Sequence, residues 1–344
     1  MAEKDVVVIG GGQAGLAISY FLQKKQKDFV VLDANNRTGD SWRERYDSLR
    51  LFTPRMYNRL PGFKFDGIQD ELPTREEAAD YLERYAKYFG IPIHFGTKVS
   101  KLQKQKDRFT IDTNQGSYTA NQVIIATGPF QKPLVPSFSG QLSERVYQVH
   151  SSAYRNPSQL LDGPVLVVGA GNSGAQIAVE LSQDRLVTVA VGHRMNFKPL
   201  YMLGRSIFWY FHKLGLLQAD ERTKRGSWLK NQPEQVYGLE LKRLLGAGKV
   251  HIRPRAIGVE NDAVLFEDGS SILAPNVIWS TGFRPDYSWV DIPGLLNEKG
   301  IPIHHKGVSQ VPGVYFIGLP WQTCRGSALI GWVGRDAEMI AAAL

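Results

Sequence analysis

The chain has 344 residues, more than one hydrophobic core usually serves, so two domains are expected. With 43% hydrophobic and 22% charged residues it reads as a soluble globular protein, and its one cysteine, Cys324, excludes a disulfide framework, a CxxC redox pair and a cysteine-built zinc site. The formal charge of +8 suits anionic ligands, but no block of consecutive Lys or Arg points to nucleic acid.

The N-terminus runs straight into an apolar stretch with no signal-peptide layout, so a cytoplasmic protein is expected. Val6-Val7-Val8-Ile9 reads as a strand, followed by the loop Gly10-Gly11-Gly12-Gln13-Ala14-Gly15. Leu16, Ile18, Tyr20 and Leu22 then suit a helix packed on a sheet, and Phe29 to Asp33 reads as the next strand. Thr74-Arg75-Glu76-Glu77 is a capping box opening a helix to about Phe89, with Tyr81, Leu82, Tyr85 and Phe89 as its buried stripe. Arg108–Thr113 and the segment from Tyr118 to Ala126 read as strands split by the turn Asn114-Gln115-Gly116. Pro129, Pro133 and Pro136 mark an irregular linker.

A second unit repeats the first. Val165-Leu166-Val167-Val168 leads into Gly169-Ala170-Gly171-Asn172-Ser173-Gly174, and Ala126-Thr127-Gly128 has its counterpart in Ser280-Thr281-Gly282. The nearly apolar run from Tyr201 to Leu217 is broken by Arg205, His212 and Lys213, too soon to span a bilayer. It reads as a lid, a dimer interface, a membrane-touching amphipathic helix or a helix covering the second unit. Val314 to Gly318 and a helix from about Ser327 close the chain.

Each loop has the chemistry of a dinucleotide cradle. The first glycine permits the tight turn, the second lets a diphosphate approach the backbone, and the third allows close helix–sheet packing. In the first unit these are Gly10, Gly12 and Gly15, and Asp33 is placed to accept hydrogen bonds from ribose hydroxyls. In the second they are Gly169, Gly171 and Gly174. There the strand Val187–Val191 ends in Gly192-His193-Arg194, with no acid to repel a 2′-phosphate and an arginine to pair with it, which points to NADPH rather than NADH. The expected fold is α/β, with two Rossmann-like dinucleotide-binding domains. Residues 1–160 and 276–344 form one domain, and 161–275 form a second inserted into it.

The whole chain resembles the flavin-containing monooxygenases, and most closely their short bacterial NAD(P)H- and FAD-dependent relatives. The resemblance is carried by the loops at Gly10 and Gly169, by Gly39-Asp40-Ser41-Trp42, Leu51-Phe52-Thr53-Pro54 and Ala126-Thr127-Gly128, and by Ser280 to Pro285 and Gly326 to Gly331. His150 and Tyr154 fit half of a family marker, and related Baeyer–Villiger enzymes carry Trp where this chain has Tyr154.

The resemblance implies FAD in the first domain and NADPH in the second, with NADH as the alternative. Trp42 and Phe52 would wall the flavin and the substrate pocket, and Asn172 would sit between the cofactors. Gly128, Gly318 and the backbone N–H groups of Ser327, Ala328 and Leu329 would face the flavin. Ser173 and His193 would join the NADPH contacts. It also implies the chemistry: hydride passes from NADPH to flavin, and a C4a-peroxyflavin then oxygenates a sulfide, amine or ketone. No metal is needed, the partners are a small substrate and O2, and a homodimer is possible. Two alternatives stay open. One is an NADPH-dependent flavin reductase serving a quinone, disulfide or protein partner. The other is a redox or nucleotide sensor regulating a transporter. His150 reads as a satisfied structural histidine, and Cys324 as a small buried hydrophobe.

Overall fold

In the computed structural model, which describes residues 2–344, the chain builds two main sheets. The first is centred on Ala2–Ile9, flanked in parallel by Phe29–Leu32 and Gly116–Ile125. Val6 to Ile9 and Phe29 to Leu32 are buried on both faces, which is why they read as unbroken apolar runs rather than alternating ones. The 116–125 strand serves two partners. Its first half closes an antiparallel meander with Arg108–Thr113 and Val99–Gln105, and its second half pairs in parallel with Val314–Phe316. The helix Gln13–Lys24 and the last helix, Ile330–Ala342, cover one face beside the helix Arg75–Tyr88. Thr74 and Glu77 form the expected capping box, and Tyr81, Leu82 and Tyr85 are buried.

The second sheet is wholly parallel, in the order Val250–Arg253, Val187–Ala190, Val165–Val168, Asn276–Trp279, Tyr147–His150. Both 147–150 and 276–279 lie outside the expected limits of 161 and 275, so the second sheet is one strand wider at each end of the sequence. Nothing near Tyr147 punctuates the chain, so this strand is recognised only by what it pairs with. The prolines mark the true crossing. Lys132–Pro133 pairs antiparallel with Phe283–Arg284, so the outgoing and returning chains run side by side, and Leu134 N–H donates to Gly282 O at 3.0 Å. The chain then completes the first sheet with Val314–Phe316 and the last helix. Among the described residues, no helix is long and apolar enough to cross a membrane, and no group of three or more His, Cys, Asp or Glu is placed to hold a metal.

Candidate active site between two glycine loops

Gly10 has φ +107°, and a Cβ there would stand 2.7 Å from Ala126 O; one on Gly15 would stand 1.9 Å from Gly10 O. The second loop repeats this packing: Gly169 has φ +96°, with Ser280 O 2.4 Å from its would-be Cβ, and Gly174 closes on Gly169 O at 2.0 Å. The Ala126 and Ser280 motifs are therefore equivalent walls, each seated against the first glycine of its loop. Gly12 faces open space, with nothing within 4 Å of an added Cβ.

The helix mouths decide what these loops can hold. The helices starting at Gln13, Asn172 and Ile330 have neither a capping side chain nor an acid in the first turn. Every other α-helix among the described residues has one or the other. Helix N-termini leave several N–H groups without partners, and an anion there is stabilised by about 0.3–1 kcal/mol, up to ~2 when partly buried. Three positive mouths left open, two of them behind glycine loops, fit the diphosphate groups of two dinucleotides.

At the first loop Asp33 is 6% exposed. Its Oδ2 accepts Gly11 N–H at 2.6 Å and its Oδ1 accepts Asn35 N–H at 2.8 Å. Burial pushes the carboxyl above its ordinary range, against the pull of those two bonds. A carboxylate has about four acceptor sites, so two remain for ribose hydroxyls. Gly318 lies against Ala14 in the following helix, and Gly128 ends the neighbouring strand with Gln131 Nε2 donating to its carbonyl at 2.8 Å.

At the second loop His193 and Arg194 are exposed beside the strand end. The structure adds Arg255, which sequence reading missed. A Cβ on Gly192 would stand 2.8 Å from the Arg255 guanidinium, so glycine lets that group lie on the strand end, where it donates to Gly192 O at 3.0 Å and pairs with Glu267 at 3.1 Å. Glu234 stands against Gly171, 3.3 Å from its would-be Cβ. Ser173 is exposed. The Asn172 side chain is committed at both ends: Nδ2 donates to Gln235 O at 3.0 Å and Oδ1 accepts Tyr237 N–H at 2.8 Å. It is not a free group between the cofactors. It ties the strand Gln235–Tyr237 to the helix mouth.

That strand leads to an aromatic junction. Phe52 stacks on Tyr237 at 4.8 Å and on Phe208 at 5.7 Å; Ile207, Leu217, Leu329 and Trp332 close the cluster. Arg325 reaches Gln235 Oε1 at 2.7 Å and lies over the Phe211 ring. The 201–217 segment is thus anchored by burial of Ile207 and Phe208 in this junction, while Tyr201 and Met202 stay exposed. Trp42 is half-buried beside the first core, on a short helix that follows Gly39.

Ser327 is fully buried; its hydroxyl accepts N–H from Thr323 at 3.0 Å and Cys324 at 3.1 Å. Asp336 is also fully buried, with Oδ1 accepting from Thr323 Oγ1 and Oδ2 without a partner; burial raises its pKa. Ala328 and Leu329 bring the chain to the open mouth of the last helix. Cys324 is 1% exposed. His150 is held on both sides: Nε2 donates to Gly282 O at 3.0 Å, Nδ1 accepts Ser152 N–H at 3.1 Å, and burial lowers its pKa. Tyr154 donates to Glu180 at 2.8 Å, on the helix Asn172–Leu181 behind the second loop.

Known proteins agree with this geometry. Residues 7–203 match the model of the pyridine nucleotide-disulphide oxidoreductase family. Over 336 residues the chain is 54% identical to a Geobacillus kaustophilus protein named uncharacterized oxidoreductase CzcO-like, covering 98% of this chain and 97% of that one. The flavin-containing monooxygenase from Stenotrophomonas maltophilia is 27% identical and superposes with a TM-score of 0.82 over 100% of this chain and 98% of its own. The bacillithiol disulfide reductase of Staphylococcus aureus shares the fold at 18% identity, with a TM-score of 0.74 over 100% of this chain and 99% of its own. The chain belongs to the pyridine nucleotide-disulphide oxidoreductase family and is a flavoprotein oxidoreductase that uses FAD and NADPH.

Proposed function

We propose that the chain is a monooxygenase that spends NADPH and O2 to insert one oxygen atom into a small sulfide, amine or ketone. The observation that carries this reading is the aromatic junction. Phe52, Phe208, Tyr237 and Trp332 come from four separate parts of the chain and pack together between the end of the strand Gln235–Tyr237 and the mouth of the last helix. Oxygen transfer from a reduced flavin needs a site from which water is kept out, and a wall of rings does that without an acid or base. Bound FAD would take hydride from NADPH and supply the activated oxygen.

The residues divide the work. Gly10, Gly12, Gly15 and Asp33 hold the FAD diphosphate and ribose; Gly128, Gly318 and Trp42 border it, and Ser327, Ala328 and Leu329 present the last helix mouth. Gly169, Gly171, Ser173 and Gly174 hold the NADPH diphosphate, with His193, Arg194 and Arg255 at its 2′-phosphate. Phe52 walls the substrate, and Asn172 positions Tyr237 beside it.

The test follows NADPH oxidation under ¹⁸O2 with a sulfide, an amine and a ketone, and in parallel with a quinone and a low-molecular-weight disulfide. The monooxygenase reading expects a labelled product. Reduction of the quinone or disulfide with no label in any product would replace it with the flavin-reductase reading, whose electrons must leave directly from the flavin, because a lone buried Cys324 cannot form a relay disulfide.

A further inference from the structure

The segment before the aromatic junction holds four inward-turned arginines. Arg43 meets Asp40, Asp80 and Glu83; Arg55 meets Glu71 and Glu77; Arg75 meets Asp47 and Glu76. Arg45 meets none. Among the described residues no carboxylate lies within 4.0 Å of it, its Nε donates to Ser41 O at 3.3 Å, and its two terminal nitrogens donate to nothing. It is half-buried, with the guanidinium over the Phe283 ring at 5.1 Å and the Phe130 ring at 5.8 Å. Burial draws its pKa below the ordinary arginine value; Tyr46 and Glu44 offset part of this, and Arg155 adds a smaller repulsion. A partly desolvated charge with no carboxylate in contact and two terminal nitrogens unused by the protein is placed to take an anion that arrives from outside.

The second sheet says where that anion lies. Ligands of such sheets lie across the carboxyl ends of the strands. The end of 187–190 carries Arg194, the end of 165–168 carries the glycine loop, and the ends of 276–279 and 147–150 carry Ser280 to Phe283 and His150. His150 packs edge-on against Phe283 at 5.1 Å, under Arg45. Its strand is two places from the loop's strand, about 10 Å at the usual ~4.8 Å spacing, which is beyond the diphosphate cradle. Phe130 is 64% exposed at this end, an apolar wall beside the cation.

We infer that Arg45 is the receptor for the carboxylate of an organic acid substrate, whose apolar body lies against Phe130 and Phe283 at the end of the cleft opposite Arg194. This rests on the monooxygenase reading for the word substrate, but not for the binding site. The guanidinium fork pairs with a carboxylate in two parallel hydrogen bonds, and the rings make the pocket selective for a flat or apolar acid.

Calorimetric titration of the FAD-loaded protein with phenylacetate and with its neutral amide, phenylacetamide, tests the assignment without turnover, so a failed monooxygenase assay leaves it standing. Wild type is expected to prefer phenylacetate by about tenfold or more. Arg45→Met should erase that preference, Arg45→Lys should keep part of it, and the Met variant should melt no lower than wild type, because it removes an unpaired charge but keeps a chain over the rings. Equal affinity of wild type for both probes would overturn the inference. So would a Met variant that melts lower yet binds phenylacetate unchanged, which makes Arg45 a structural clasp. NADP+ affinity falling in the Met variant, with no phenylacetate preference in wild type, would move the guanidinium to the cofactor and also overturn it.

Discussion

At the first glycine loop the strand Phe29–Leu32 runs into Asp33, whose carboxylate accepts from Gly11 and Asn35 and keeps two lone pairs free. At the second, the matching strand Val187–Ala190 runs into Gly192, His193 and Arg194, with Arg255 laid on the glycine. The turns, the wall motifs and the uncapped helices are the same in both. The two differ beyond the strand end, and at Gly171, where Glu234 stands; on the proposed reading the backbone selects for a diphosphate and the strand end selects which nucleotide carries it.

The sharpest way to break this division is to fill the two cradles separately. A Cβ at Gly12 would touch no protein atom, and at Gly171 it would meet only the flexible Glu234 side chain, so valine is expected to be tolerated at both. Gly12→Val is expected to yield folded, colourless protein. Gly171→Val should keep its FAD and lose NADP+ affinity by about a hundredfold or more, the ~2.7 kcal/mol of one displaced charged contact pair. Absorbance at the flavin band and NADP+ titration check both; loss of the same cofactor in both variants would dissolve the division.

Asp33→Ala comes next. It removes two hydrogen bonds to backbone N–H, orphans a buried Gly11 N–H, and should weaken FAD retention by about 2–3 kcal/mol. FAD content after dialysis measures it, and full retention would count against the ribose role. Smaller again, Arg194→Ala and Arg255→Ala should each raise the KM for NADPH about tenfold with little change for NADH. Equal effects on both cofactors would remove the 2′-phosphate assignment.

The smallest effect lies outside both cradles, under the last helix mouth. Asp336 has a folded pKa above its unfolded one, so its protonated form favours folding, and that contribution is lost as pH rises through the folded pKa. Asp336→Asn should therefore match wild type in Tm near about pH 4 and gain a few degrees over it by about pH 8. A constant difference across that range would mean that the carboxyl is not the source.

The sequence was informative wherever function left a local mark. The loop glycines, Asp33, the Thr74–Glu77 capping box and the paired Ala126 and Ser280 motifs each act on neighbours a few residues away or on the loop that repeats them, so spacing reveals them. Arg255 escaped because it reaches Gly192 from the connection after the strand Val250–Arg253, 63 residues on. Arg45 escaped because what marks it is the lack of a partner, and no spacing encodes an absence. Asn172 looked like a site residue from its place in the loop, yet its amide is consumed by a strand that begins at Gln235. The 147–150 strand was invisible for the same reason: its identity is its neighbour, Asn276–Trp279.

A crystal structure with FAD and NADP+ bound tests the division of the cradles most directly. The expected result is an FAD diphosphate on the backbone at Gly12 with its ribose on Asp33, and an NADP+ diphosphate at Gly171 with its 2′-phosphate between Arg194 and Arg255. Both nucleotides on one loop, or a 2′-phosphate beside Asp33, would contradict it.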